Sequence, residues 1–215
     1  ALPRLISLLE AICRRSIYLV MIAENPNATI ELIPMLSASP WIAKELAQYP
    51  VLLDTFLQQR YRHLPDKREL RDILRQQLLR VEPNDEEELL SVLRLFKKNQ
   101  VLAVAASDVL AERPIMKVSD SLTYIAEVVL EAALERAFAE IVNRYGYPIG
   151  QDGDPVTEAD CGFAIIGYGK LGGLELSYSS DLDLVFLHKI KEQGMTTGEK
   201  SVIGMKFAAR LVQKL

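Results

Sequence analysis

Apolar residues recur at helical spacing through the first three quarters of the chain. In the opening segment leucine and isoleucine return every three or four positions, which predicts an amphipathic helix from about residue 4 to residue 24. Prolines then divide the sequence, and each favours the end of one helix or the start of the next. The pattern predicts four shorter helices in succession, at about 27–37, 40–48, 50–60 and 67–80.

Two longer helices are predicted to follow. The first should run from Asn84 to about Glu112. Asn84 is a favourable N-cap, and three glutamates follow it in the first turns, where the helix dipole favours negative charge. The second should be capped by Ser119 or Asp120 and should end at Gly146. Both helices carry broad apolar faces, so we expect them to pack against each other, with the shorter helices on one side.

The segment 146–160 interrupts this helical pattern. It is rich in Gly, Pro, Gln, Asp and Thr, which is typical of a loop. We therefore divide the chain here into a helical bundle or linker region, residues 1–150, and a second region, residues 160–215.

Short β-type runs appear in the second region. Residues 162–167 contain β-branched apolar residues, and residues 182–188 form a nearly continuous apolar run, so both segments are predicted to be strands. The second run predicts a strand that is buried on both faces. Helical spacing returns at about 197–215. The predicted class is mainly α, with an α+β piece at the C-terminal end.

Composition excludes several classes of function. The 215 residues include 25 Lys and Arg against 29 Asp and Glu, with no basic run, which argues against a nucleic-acid partner. No apolar stretch approaches the roughly 20 residues that span a bilayer, so no membrane segment is expected. Cys13 and Cys161 are too far apart for a zinc-binding motif, and two cysteines make no disulfide framework, which fits a reducing cytoplasm.

The chemistry is expected between the two predicted strands. Four glycines lie within residues 167–173, and such a turn lets backbone N–H groups approach an anion closely. Asp181 and Asp183 follow, two positions apart, so on a strand their carboxylates would share one face. Carboxylates together with substrate phosphates are the usual ligands of Mg²⁺. The combination favours nucleotidyl transfer, in which metal ions stabilise both the attacking and the leaving oxygen.

The same glycines also match a dinucleotide-binding fingerprint, Gly-x-Gly-x-x-Gly after a strand. That motif requires a full helix and then a parallel strand, a crossover of a dozen or more residues. Only the seven residues 174–180 separate Gly173 from Asp181, which disfavours dinucleotide binding. A Walker P-loop is excluded because Leu171 stands where Ser or Thr is required.

The stretch GYGKLGGLELSYSSDLDLVFLH, residues 167–188, resembles the signature of the glutamine synthetase adenylyltransferase family. Upstream segments resemble it too, among them ASPWIA at 38–43, YPVLLD at 49–54 and PIMKVSD at 114–120. This family belongs to the nucleotidyltransferase superfamily with a DNA polymerase β-like fold, and its members carry two such domains. The stretch resembles the adenylylating, C-terminal copy, so residues 160–215 are expected to be the start of such a domain.

The resemblance implies a function. One domain of the family transfers AMP from ATP to a tyrosine of glutamine synthetase, and the other removes it by phosphorolysis. It implies Mg²⁺ as cofactor, ATP as substrate, glutamine synthetase as the protein substrate and the PII nitrogen-signalling protein as effector. Asp181 and Asp183 would be the catalytic metal ligands. Four further residues would contact the triphosphate: Gly172, Gly173, Ser180 and Lys170.

One departure from the family pattern limits this expectation. The family's third carboxylate lies in an Asp-x-Arg-Leu-Arg-Pro-like segment on a later strand, and no such segment occurs up to Leu215. The chain also begins at Ala1, so we expect a fragment with an incomplete site. The alternative hypothesis is that the fragment alone acts as a non-catalytic helical scaffold that joins two catalytic halves.

Overall fold

The computed structural model describes residues 2–82, 85–145, 157 and 163–188. Helices dominate this part of the chain. The shorter ones come first: α1 (Leu2–Ile12), α2 (Ser16–Glu24), α3 (Pro26–Ala38), α4 (Pro40–Gln48), α5 (Leu52–Leu57), a 3₁₀ turn (Arg60–Arg62) and α6 (Lys67–Leu78). The prediction of a mainly helical chain is confirmed, and the predicted starts at prolines hold for α3 and α4.

The single helix expected from 4 to 24 is wrong. The structure has two helices, separated by a turn in which the N–H of Arg15 donates to the carbonyl of Ile12 at 2.8 Å. The turn lets α1 pack mainly against α4 while α2 packs against α3. Apolar spacing alone could not show the break, because the pattern continues across it. Pro34 lies inside α3 without ending it.

The two long helices are α7 (Glu86–Ala111) and α8 (Ile115–Tyr145), and they pack against each other as predicted. Their caps differ from the prediction. Asp85 is the N-cap of α7 and its side chain accepts a hydrogen bond from the N–H of Glu88, whereas Asn84 lies outside the described residues. Ser119 and Asp120 do not cap α8, which already begins directly after Pro114. Proline fixes its own φ in the helical range and so suits a helix start.

In the described part of the chain, two clusters of buried side chains form the core. One joins α6, α7 and α8, and contains Leu93 and Phe96, which are 0% and 1% exposed. The other joins α1, α3, α4 and α5 with the second half of α7. Because α7 contributes buried residues to both clusters, it is the central element of the bundle.

Residues 163–188 form a β-hairpin on this bundle. Strand β1 (Phe163–Tyr168) pairs antiparallel with β2 (Asp183–His188), and the connection contains a single helical turn, α9 (Gly169–Gly172). Leu171 of α9 and Leu176 of the following loop are buried in the cluster that contains Leu93. The hairpin is therefore packed onto the α7–α8 side of the bundle.

The prediction that the second strand is buried on both faces is wrong. Leu184 and Phe186 are partly buried, but Val185 and Leu187 on the other face are 41% and 54% exposed. An antiparallel hairpin commonly packs only one face on its neighbours, and here that face lies against the helices.

The expected loop at 146–160, apart from Thr157, and the expected helix at 197–215 lie outside the described residues. Among the helices that are described, none is long and apolar enough to cross a membrane.

Tyr61 makes the stability of the bundle sensitive to alkaline pH. Burial, and a hydrogen bond donated to Glu31, raise the pKa of Tyr61 from 10.0 to about 12. The folded state therefore holds the phenol proton more tightly than the unfolded state. This contribution is complete below pH 10 and is lost as the pH rises towards 12.

We expect the Tyr61 contribution, about 1–2 kcal/mol of unfolding free energy, to disappear between pH 10 and pH 12. Denaturant titrations of the wild type and Tyr61→Phe at pH 9 and pH 11.5 would measure it. The Phe variant should show the smaller drop, while the matched substitution of the 38% exposed Tyr124 should behave as the wild type. An equal drop in all three proteins would contradict the assignment to Tyr61.

Candidate active site

The antiparallel register brings the glycine turn against one of the two aspartates. Tyr168, the last residue of β1, pairs with Asp183, the first residue of β2. Gly169 follows with a φ of +54°, in the left-handed region. A Cβ atom at Gly169 would overlap the Asp183 carboxylate oxygen. The turn and the carboxylate are therefore in direct contact, and only glycine allows both the backbone angle and this approach.

We expect Gly169→Ala to destabilise the chain by roughly 1–2 kcal/mol through backbone strain alone. It should also displace the Asp183 side chain, because the new methyl group would occupy the position of the carboxylate. Gly173→Ala is the matched control for stability, since Gly173 has a φ of −84° and a Cβ there would make only ordinary contacts. Thermal unfolding of both variants measures the difference, and equal melting temperatures would contradict the strain argument.

Asp181 and Asp183 are both exposed. Only Asp183 belongs to the strand: β2 begins there, and Asp181 lies in the loop before it. The expectation that both carboxylates lie on one face of a strand is therefore wrong. Two accessible carboxylates at one end of a hairpin are hard oxygen donors of the type that Mg²⁺ prefers, so the donor set fits that ion. Within the described residues, however, no group of three or more His, Cys, Asp or Glu side chains could hold a metal.

The glycines at the end of α9 are exposed next to this corner. A Cβ atom at Gly172 would lie 2.7 Å from the carbonyl oxygen of Gly167, so this position too requires glycine. The N–H of Gly173 donates to the carbonyl of Gly169 at 3.0 Å. A phosphate contact by the Gly173 N–H would have to share or replace that bond.

Ser180 closes a small turn immediately before Asp181. Its Oγ accepts a hydrogen bond from the N–H of Ser177 at 2.9 Å and lies 2.8 Å from the Oγ of Ser177. If Ser177 donates in the second contact, the Ser180 hydroxyl proton stays available for a phosphate oxygen. The Lys170 side chain, on α9, is exposed to solvent.

The structure contradicts the dinucleotide-binding alternative. That motif needs a parallel crossover through a complete helix, but β1 and β2 are antiparallel and α9 has four residues. The hairpin leaves no room for the crossover between these strands.

A family described as glutamate-ammonia ligase adenylyltransferase matches residues 29–215 of the chain. The chain belongs to this family. It is 54% identical over 214 residues to the bifunctional glutamine synthetase adenylyltransferase/adenylyl-removing enzyme of Acinetobacter baylyi, and 47% identical over 213 residues to the enzyme of the same name from Hahella chejuensis. These alignments cover 100% and 99% of the chain but only 23% and 22% of the relatives, so the chain spans about a quarter of their length. The resemblance seen in the sequence is thus confirmed.

The fold also brings the charge of Lys97 near Asp181, which the sequence alone did not indicate. Lys97, on α7, has an exposed side chain, although the surrounding protein partly desolvates its ammonium group. This desolvation and the charge of Lys98 lower the pKa of Lys97, while the charge of Asp181 opposes the shift. No sequence motif marks Lys97, because its relation to Asp181 exists only once the hairpin is packed on α7.

A cavity of about 400 Å³ lies on the bundle side of the glycine turn, between Gly172 and helices α6 and α8. Its charged lining is already paired: Lys67 Nζ lies 2.9 Å from Glu127 and 3.0 Å from Glu131. Burial lowers the pKa of Lys67, but the two glutamates outweigh it and the net shift is upward. Because two carboxylates surround this lysine, the cavity does not suit a polyphosphate. The aspartate side of the turn is the better candidate.

Proposed function

We propose that this chain contributes to Mg²⁺-dependent transfer of AMP from ATP to a tyrosine of glutamine synthetase. The observation that carries the proposal is the contact between the Gly169 backbone and the Asp183 carboxylate, with Asp181 exposed beside it. This arrangement supports the proposal, because a glycine turn suited to an anion and carboxylate oxygens suited to a metal would then lie at one corner. The relatives' names supply the acceptor, glutamine synthetase.

In this proposal Asp181 and Asp183 would hold Mg²⁺, which would supply charge neutralisation for the triphosphate and the leaving pyrophosphate. The backbone of Gly172 and Gly173 would contact the phosphates. With Ser177 as the donor of the Oγ–Oγ contact, Ser180 would donate its own hydroxyl proton to a phosphate oxygen, and Lys170 would add positive charge at the exposed side of the turn. These groups act by positioning and by electrostatic stabilisation, which suits phosphoryl-type chemistry.

Residues 160–215 would then be the first part of a nucleotidyltransferase domain with a DNA polymerase β-like fold. The described hairpin would supply two carboxylates, and the family resemblance implies a third on a later strand. We expect the isolated chain, which spans about a quarter of the relatives' length, to be inactive. Removal of AMP, and regulation by a PII protein in the cytoplasm, would belong to the complete enzyme.

Mass spectrometry of glutamine synthetase tests the proposal. Incubation with Mg²⁺, ATP and a full-length enzyme containing this chain should add one adenylyl group per modified subunit, and peptide sequencing should place it on a tyrosine. Omitting Mg²⁺ or replacing ATP by a non-cleavable α,β-methylene analogue should prevent the addition. No adenylyl group on any tyrosine under the complete conditions would overturn the proposal.

The helical part favours a second candidate for the isolated chain, a non-catalytic scaffold. Helices α1 to α8 supply most of the residues of the two buried clusters. Calorimetric titration of the chain with ATP in the presence of Mg²⁺ separates the two candidates. Mg²⁺-dependent ATP binding supports a half-formed site, whereas no heat of binding supports scaffold behaviour for this piece.

A further inference from the structure

The loop that presents the two aspartates is held by the helical bundle. The loop, residues 174–182, joins α9 to β2, and its contacts reach α8, α7 and α4. The buried Ser119 of α8 donates its hydroxyl proton to the carbonyl of Leu176 at 3.1 Å. The Leu176 side chain is 5% exposed. The first part of the loop is therefore fixed to α8 by a buried hydrogen bond and by packing.

Tyr178 makes the second attachment, from the middle of the loop. Its hydroxyl donates a hydrogen bond of 2.8 Å to Oδ2 of Asp108 on α7, a residue 70 positions away in the chain. Its ring stacks on Trp41 of α4, with ring centroids 6.1 Å apart and an interplanar angle of 24°. We call Trp41, Asp108 and Tyr178 the loop clamp.

The chemistry of the clamp favours one fixed geometry. Burial raises the pKa of Tyr178, and the adjacent Asp108 carboxylate raises it further, so the phenol stays protonated and donates its proton at physiological pH. A hydrogen bond to a charged acceptor is stronger than one between neutral groups. Losing it would leave the half-buried Asp108 carboxylate with a poorly solvated oxygen, which is costly.

A tight turn connects the clamp to the aspartates. The N–H of Ser180 donates to the carbonyl of Ser177 at 3.1 Å, and the Ser180 hydroxyl accepts from the N–H of Ser177. Tyr178 lies inside this turn, and Asp181 follows it directly. A shift of the Tyr178 ring would therefore move Asp181, because the turn that joins them is closed by its own hydrogen bonds.

We propose that Tyr178, through the loop clamp, is a positioning residue for the Asp181–Asp183 site, so that the helical bundle forms part of the framework of that site. The inference rests on the proposed function. The helical bundle then has a role at the site, because Trp41 and Asp108, which hold Tyr178, lie outside the glycine–aspartate segment. Tyr178 touches neither the phosphates nor the metal in this scheme; it acts by fixing the loop.

The test uses Tyr178→Phe in the full-length enzyme, with Tyr124→Phe as the matched control on an exposed part of α8. The Phe variant keeps the ring and loses only the hydrogen bond. We expect faster amide exchange in peptides from 174–182, a severalfold rise in the Mg²⁺ concentration at half-maximal rate, and kcat for AMP transfer about 10- to 100-fold lower, as for a misplacement near 1 Å. The KM for glutamine synthetase should not change.

Asp108→Asn and Asp108→Ala extend the test to the other side of the bond. The Asn side chain keeps an oxygen that accepts the Tyr178 proton, so this variant should retain most of the activity and the wild-type Mg²⁺ dependence. The Ala variant should behave as Tyr178→Phe. If Tyr178→Phe does not fold, the Asn and Ala pair provides the same comparison without changing the loop.

Two results would overturn the inference. One is wild-type exchange in 174–182 and a wild-type Mg²⁺ dependence in Tyr178→Phe. The other is a lower melting temperature and lower activity with both of those readouts unchanged, which would give Tyr178 a purely structural role. If the wild-type enzyme transfers no AMP, the proposed function fails instead, while the exchange measurement still decides whether the clamp fixes the loop.

Discussion

Asp181→Asn combined with Asp183→Asn is expected to reduce AMP transfer by the full-length enzyme by more than about 1,000-fold. The two carboxylates are the metal-binding oxygens of the proposed site, and metal ions contribute several kcal/mol of transition-state charge stabilisation. Since each 1.36 kcal/mol changes the rate tenfold, their loss should remove measurable activity. Both side chains are exposed, so the substitutions should leave the fold intact.

A matched control removes the same number of negative charges elsewhere. Asp72→Asn with Glu135→Gln changes two exposed carboxylates on α6 and α8. Adenylylation rates and melting temperatures of both double variants should be measured side by side. The control should keep wild-type activity. Full activity in the Asp181 and Asp183 variant, with an unchanged melting temperature, would remove these residues from the proposed site.

Leu93→Ala is expected to lower the free energy of unfolding of the chain substantially. Leu93 lies on α7 and is 0% exposed in the cluster that joins α6, α7 and α8. Truncation of such a leucine costs about 2–5 kcal/mol, because it removes apolar burial and leaves a cavity. That is a large fraction of the 5–15 kcal/mol that ordinarily separates folded from unfolded states.

The comparison variant is Leu79→Ala, which removes the same atoms from a side chain that is 78% exposed at the end of α6. Its unfolding free energy should stay within about 0.5 kcal/mol of the wild type. Denaturant titrations followed by circular dichroism measure both variants. Because Leu171 and Leu176 pack in the same cluster, Leu93→Ala should also loosen the hairpin. Similar losses in the two variants would show that this cluster is not the stabilising core.

Some helix boundaries were predictable from the local sequence, and others were set by tertiary packing. The helix starts at Pro26 and Pro40 were predictable, because proline fixes its own backbone angle wherever it occurs. The break after Ile12 was not, because the turn is set by what α1 and α2 pack against. Ser119 shows the same limit: local preference makes it a helix cap, yet it lies within α8 and binds the Leu176 carbonyl.

Part of the candidate site was likewise predictable from the local sequence, and part was not. The glycines and aspartates were visible as a motif, since their chemistry is local and their spacing excluded the dinucleotide crossover. The positions of Lys97, Asp108 and Trp41 beside that motif were not visible. Nothing near these residues in the chain indicates an acidic loop or a tyrosine packed against them.

The amino-acid sequence by itself determined the family, the mainly helical class and the glycine–aspartate segment, because helical periodicity and short motifs are properties of neighbouring residues. The tertiary structure decided three other matters: the single buried face of the hairpin, the contact of Gly169 with Asp183, and the clamp on Tyr178. Each of these depends on groups that are distant in the chain. Such groups meet only when apolar burial brings α4, α7 and α8 against the loop, and their partners then become fixed.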